Sequence, residues 1–251
     1  MYYTKKIFYN LFLTTIIMFA IWGISSQAIA SSKSELLASK VKDAIARYYE
    51  NNFNITASPN GVVQIKGQVN SLYDKLHIFD IAARVRGVKK IEDFVAVNAK
   101  IVPDNIIKSN LLEELSLVHS ILEPNRIKVA VDNGVIELRG TVSYYREKLM
   151  AETVASWQKG ALGIVNNISV LPPKLAVSDK NIRIILHDIL KDSFPIETKV
   201  NFTVHDGIVN VTGYAHTLWA KKHIETEFRK VRGVKDVINK INIAEEYSNI
   251  S

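Results

Sequence analysis

The stretch Gly61-Val62-Val63-Gln64-Ile65-Lys66-Gly67-Gln68-Val69 decides the fold, because the chain carries it three times. It returns as Gly134-Val135-Ile136-Glu137-Leu138-Arg139-Gly140-Thr141-Val142, and again as Gly207-Ile208-Val209-Asn210-Val211-Thr212-Gly213-Tyr214-Ala215. The first glycines (Gly61, Gly134, Gly207) lie 73 residues apart, as do the second (Gly67, Gly140, Gly213) and a third set (Gly87, Gly160, Gly233). Three anchors kept in step twice define an internal repeat, and that repeat sets the architecture before any element is assigned.

Each anchor has a physical job. Asn60-Gly61, Asn133-Gly134 and Asp206-Gly207 are flanked by apolar alternation, the signature of a type I′ β-hairpin turn. After the turn, Val63, Ile65 and Val69 share one strand face, while Gln64, Lys66 and Gln68 take the other, which predicts a sheet with one buried and one wetter side. The second glycine falls on the apolar side, where a missing side chain permits a bulge or a close helix approach.

A helix of about four turns follows, predicted over Ser71–Arg86, Tyr144–Lys159 and Thr217–Arg232. In copy one its apolar positions are Leu72, Leu76, Phe79, Ala83 and Val85, and the third glycine ends it as a left-handed cap. Short strands come next, at Phe94–Val97, Ile168–Val170 and Val237–Ile243. Another helix precedes each hairpin, at Leu36–Tyr49, Ile106–Leu122 and Ile182–Leu190. Val102-Pro103-Asp104 and Leu171-Pro172-Pro173 break the periodicity and mark the joints. The reading is an α+β protein of three tandem αββαβ domains, each a small three-stranded sheet packed by two helices. The domains span residues 31–102, 104–172 and 176–246.

Residues 1–30 read as a signal peptide. Lys5 and Lys6 precede a charge-free run, whose apolar heart is Leu11–Gly23, and Ala28-Ile29-Ala30 gives the small-x-small pattern for cleavage before Ser31. The alternative is an uncleaved anchor, although Asn10, Thr14 and Thr15 dilute the apolar stretch. The expected location is the periplasm or the medium. The 251-residue chain has 32 basic and 25 acidic side chains and no cysteine, which excludes a disulfide scaffold, a thiolate–zinc site, a cysteine nucleophile and a lipidated N-terminal cysteine.

These residues resemble the BON-domain family. The resemblance lies in the αββαβ order, the G-(I/V)-(V/I)-x-(I/V/L)-x-G strand, and the later Gly233-Val234-Lys235-Asp236-Val237 and Gly87-Val88-Lys89-Lys90-Ile91. Copy two departs, with Gly160-Ala161-Leu162-Gly163, which predicts a reshaped helix end there. The resemblance, closest to osmotically inducible periplasmic proteins, implies a bacterial envelope role, association with phospholipid, and no catalytic residues.

The chemistry-bearing residues agree with a non-enzyme. His77 and His223 share a repeat position that Met150 fills in copy two, and none has a His-x3-His partner, so they read as half-buried helix residues. No nucleophile elbow, Walker loop, dinucleotide fingerprint or H-E-x-x-H is present. No catalytic residue, metal, cofactor or nucleic-acid partner is expected.

The candidate site is electrostatic. Without residues 1–30, copy one nets +4, copy two 0 and copy three +1. Basic residues gather where the second helix ends: Arg84, Arg86, Lys89 and Lys90 in copy one, and Arg229, Lys230, Arg232 and Lys235 in copy three. Two readings stand: cations complementing a helix C-terminus, or a patch for anionic phospholipid headgroups on an envelope membrane. Copy two reads as a spacer. An envelope protein is the alternative partner, held by sheet faces or exposed hairpin edges.

Overall fold

The computed structural model describes residues 31–50, 53–194 and 198–244. The leader and its cleavage residues Ala28 and Ala30 lie outside the described residues.

Copy one consists of helix α1 over residues 31–46, strands β1 (Asn54–Ala57) and β2 (Val62–Val69), helix α2 (Leu72–Ala83) and strand β3 (Lys90–Val97). Copy two repeats this as α3 (Asp104–Leu117), β4 (Ile127–Asp132), β5 (Val135–Val142), α4 (Tyr145–Ser156) and β6 (Gly163–Val170), with a 3₁₀ turn at Pro124–Arg126. Copy three is α5 (Asp179–Ser193), β7 (Thr198–His205), β8 (Ile208–Ala215), α6 (Leu218–Lys230) and β9 (Asp236–Ile243).

Each copy forms its own three-stranded sheet, with the quoted stretch as the middle strand. Its first neighbour is antiparallel, across the hairpin, and its second is parallel, Val62 opposite Lys90 and Val69 opposite Val97 in copy one. A parallel neighbour requires a crossover connection, and the second helix supplies it. The third strand is eight residues long in every copy. It is longer than the apolar segments Phe94–Val97 and Ile168–Val170 suggest, because its more polar first half is held by parallel backbone pairing and by side chains such as Asp93, which pairs with Lys75.

The hairpins follow the Asn-Gly and Asp-Gly reading in copies two and three. Asn133 and Gly134 have φ of 49° and 74°, and Asp206 and Gly207 have 50° and 77°, so both central residues are left-handed as a type I′ turn requires. Copy one differs. Its strands are joined by the four residues Ser58–Gly61, and the Gly61 N–H donates to the Ser58 carbonyl at 3.0 Å. Pro59 sets the right-handed φ of a type I turn, leaving only Gly61 left-handed.

The second helices end at Ala83, Ser156 and Lys230, earlier than the periodicity predicts. Gly87, Gly160 and Gly233 therefore shape the turn into the third strand instead of capping the helix. Copy two is not reshaped: its Leu162 N–H donates to the Gly134 carbonyl at 2.8 Å, matching Lys89 to Gly61 and Lys235 to Gly207, both at 2.8 Å. The second glycines admit backbone or an aromatic ring from the first strand's side, not a helix. A Cβ on Gly140 would stand 2.0 Å from the Arg126 carbonyl oxygen, and one on Gly67 2.4 Å from the Phe53 ring.

A polar clip ties helix to sheet at one repeat position. The Asn239 amide donates to the Lys221 carbonyl at 2.9 Å, and its oxygen accepts the Ile241 N–H at 3.1 Å. Asn166 does the same with Lys148 and Ile168, at 3.1 and 3.2 Å. Asp93 takes the role in copy one, pairing with Lys75 at 2.8 Å and accepting the Val95 N–H at 2.9 Å. The first helix is fastened similarly: Asp104 accepts from the N–H groups of Asn133 and Gly134 at 2.8 and 2.9 Å, and Asp179 from those of Asp206 and Gly207 at the same distances. The Gly207 N–H is the main reason the Asp179 carboxyl lies below its ordinary pKa; partial burial opposes the shift and the Asp206 N–H adds to it.

Candidate functional site: seams and exposed cations

A repeat of about 70 residues holds a modest core, so burying surface between copies matters to stability. The seams use the same two repeat positions, the first residue of the second helix and the last residue of the third strand. Leu72, 4% exposed, is buried in copy two's core with Ile107, Leu111 and Leu115, and Val97 packs beside it. Leu218, 8% exposed, is buried in copy one's core, and Ile243 packs with it. Copy one thus leans on copy two, and copy three leans back on copy one. At the remaining seam these positions hold Tyr145 and Val170, which face copy three across a cleft lined by Arg229–Val234. The three copies close into a ring.

The seam between copies three and one is the more elaborate. The Arg84 guanidinium lies 4.0 Å from the Trp219 ring centroid while its Nε holds Asp80 at 3.0 Å. Trp219 stacks on His223 at 4.5 Å, and Phe194 meets the same imidazole edge-on at 5.6 Å. Burial is the main cause of the His223 pKa lying below the ordinary histidine value; Glu227 opposes the shift, and Lys230 and Arg84 add to it. Leu76 and Phe79, read from sequence as α2's core face, line the groove against Trp219 and His223. The face that α2 buries in its own core is Ile78, Ile81, Ala82 and the predicted Ala83, and Phe79 packs partly against it. His77 sits in its own aromatic collar: Tyr49 Oη is 2.8 Å from its Nδ1, and Tyr73 stacks on it at 5.8 Å. Burial first, then Asp74, pushes the Tyr49 hydroxyl pKa up to about 12.

The eight predicted cations therefore divide. Arg84 and Arg229 are structural: Arg229 pairs with Glu225 at 3.2 Å and Asp236 at 3.0 Å and reaches the Val237 carbonyl at 3.3 Å. Lys230 pairs with Glu227 at 2.7 Å and Lys90 with Glu92 at 3.0 Å. Lys89 is half-buried, and Lys235 is exposed. Arg86 and Arg232 are exposed, and among the described residues neither makes an ion pair. They occupy one repeat position, and copy two has Lys159 there, also exposed. The spacing of 73 residues singles out Lys159, which a search for clusters passes over. Arg86, Lys159 and Arg232 are thus a triad of exposed cations at one repeat position, one in each copy.

One buried group was not legible in the sequence. Glu147 is 1% exposed and accepts from the N–H groups of Leu122 and Tyr144, each at 2.9 Å. It replaces the hydroxyl caps that Ser71 and Thr217 give the equivalent helices. Among the described residues no cluster of metal-ligating side chains occurs, and no helix is long and apolar enough to cross a membrane.

Two kinds of known protein compare with the chain. The C-terminal domain of CdsD, a structural protein of the type III secretion system of Chlamydia trachomatis, is 17% identical over 83% of this chain and 97% of that one, with a TM-score of 0.24. The PrgH periplasmic domain is 12% identical over 81% of this chain and 99% of that one, with a TM-score of 0.21. No curated protein matches. The BON domain model matches three times, at residues 33–99, 103–172 and 178–245, and with the repeated αββαβ fold this places the chain in the BON-domain family as three tandem copies.

Proposed function

We propose that this is a non-catalytic, exported protein of the bacterial envelope, released from its leader before Ser31, that rests on anionic phospholipid surfaces and supports envelope integrity under osmotic stress. The observation that carries the reading is the triad Arg86, Lys159 and Arg232, one exposed cation per copy at one repeat position. Each basic residue near an anionic surface contributes about 1 kcal/mol, and three on a preformed ring act together without a further ordering cost. The BON-domain family supports the envelope setting. Co-sedimentation with vesicles tests it. The chain is expected to pellet with phosphatidylglycerol and not with phosphatidylcholine, and to be released by high salt. Equal partition to both lipids would reject it.

A second reading has one observation in its favour. In every sheet the third strand pairs with the middle strand only, which leaves β3, β6 and β9 each with an edge for strand addition by an envelope protein. Binding to envelope partners that survives neutralisation of the triad favours this reading.

A further inference from the structure

The seam between copies two and three is unlike the other two. Where Leu72 and Val97, or Leu218 and Ile243, plug the neighbouring core, Tyr145 and Val170 border a cleft of 340 Å³, a size typical of small-ligand sites. The charge at this seam is lopsided. Arg126, Lys174, Arg229, Lys230 and Arg232 line the cleft with one acid, Glu123, which pairs with Arg126 at 2.7 Å. The acids that pair with Arg229 and Lys230, namely Glu225, Asp236 and Glu227, are not among the lining residues. Lys174 and Arg232 have no ion-pair partner among the described residues.

The repeat shows how this cleft differs in its lining from the groove of equal volume beside Trp219 at the seam between copies three and one. At the seam between copies three and one, two positions hold Trp219 and Arg84 and make a cation–π contact. The same positions at the seam between copies two and three hold Arg146 and Lys230, and Lys230 pairs with Glu227 of its own helix at 2.7 Å. Arg146 turns instead to the Tyr144 ring, 4.8 Å from its centroid. A negative group from outside the chain would complement Lys174 and Arg232. The walls also say what that charge is attached to. Tyr144 and Tyr145 offer hydroxyl groups, whereas Leu122, Val170, Leu171 and Pro172 provide an apolar side. Planar guanidinium groups match the oxygens of a phosphate.

We infer that the cleft between copies two and three binds a phosphate ester, with the phosphate among the cations and the ester carbons against the apolar wall. The inference rests on the membrane-surface reading for the source of the ester, a lipid headgroup, but the cleft suits a free phosphate ester equally. It is separate from the triad except for Arg232.

The test titrates the chain from Ser31 onward with glycerol 3-phosphate by calorimetry, alongside two double variants. Arg126→Ser with Lys174→Ser alters only the cleft, and Arg86→Ser with Lys159→Ser alters only the triad. Circular dichroism and melting confirm that both are folded. Saturable one-site binding is expected, weakened tenfold or more in the cleft variant and within twofold of the parent in the triad variant. Displacement of glycerol 3-phosphate by phosphatidylglycerol vesicles, and not by phosphatidylcholine, identifies the lipid headgroup as the source. Saturable binding without displacement identifies a free ester. No saturable binding, or equal loss in both variants, overturns the inference. Vesicle binding lost in the triad variant while the cleft fails to titrate would leave the membrane reading standing and remove this one. A titrating cleft in a chain that ignores vesicles would do the reverse.

Discussion

The Arg84 guanidinium lies over the Trp219 indole at 4.0 Å, joining the end of the first copy's second helix to the start of the third copy's. Residues so distant in sequence meet only if the array closes. The contact combines a cation–π attraction of about 0.5–2 kcal/mol with the burial of a large ring. Trp219→Ala is expected to cost about 3 kcal/mol, and Arg84→Lys less than 1 kcal/mol because the charge is kept. Small-angle scattering checks the geometry, with a larger radius of gyration in Trp219→Ala and an unchanged one in Arg84→Lys.

Leu72 belongs by sequence to copy one and by packing to copy two. Leu72→Ala is therefore expected to destabilise by about 2–4 kcal/mol, with the damage in the neighbouring copy. Hydrogen exchange locates it: protection should fall in β4–β6 more than in β1–β3.

Asn239 and Asn166 each hold the second helix against the third strand through a bidentate backbone clip. Asn239→Ala removes both of these hydrogen bonds and the amide's bond to Glu225 at 3.2 Å and leaves the Ile241 N–H without its acceptor, an expected loss of about 1–3 kcal/mol in urea melts.

His223 supplies the pH dependence. Its folded pKa is below the unfolded value, so between the two the unfolded chain binds more protons and stability rises with pH. Acidification from pH 7.5 through about 6.5 should thus weaken the seam between copies three and one. The urea midpoint is expected to fall more in the parent than in His223→Gln, and equal falls would exclude His223 as the cause.

The sequence already contains the repeat, the αββαβ order and two of the three hairpin turns, because glycine spacing and two-residue alternation are local signals. The third strands were legible only in their apolar halves, since Lys90–Asp93 and Gly163–Asn167 are held by parallel pairing to a strand fixed elsewhere. Pro59 overrides an Asn-Gly dipeptide that by itself reads as type I′. Leu72, Leu76 and Phe79 read as one core face because hydropathy registers burial without registering which domain does the burying. The candidate cations were found by clustering, which selected Arg84 and Arg229 although both are committed to structural contacts. The repeat spacing, applied to charge as it was to glycine, selects Arg86, Lys159 and Arg232 instead.

The closed ring underlies both the membrane reading of the triad and the cleft between copies two and three. The chain has no cysteine, so Leu76→Cys with Lys222→Cys gives two unique attachment points, which line one groove although they belong to the first and third copies. Spin labels placed there and measured by pulsed electron resonance should give a single, narrow, short distance. A broad distribution at long distances, as from three copies strung on linkers, would contradict the account.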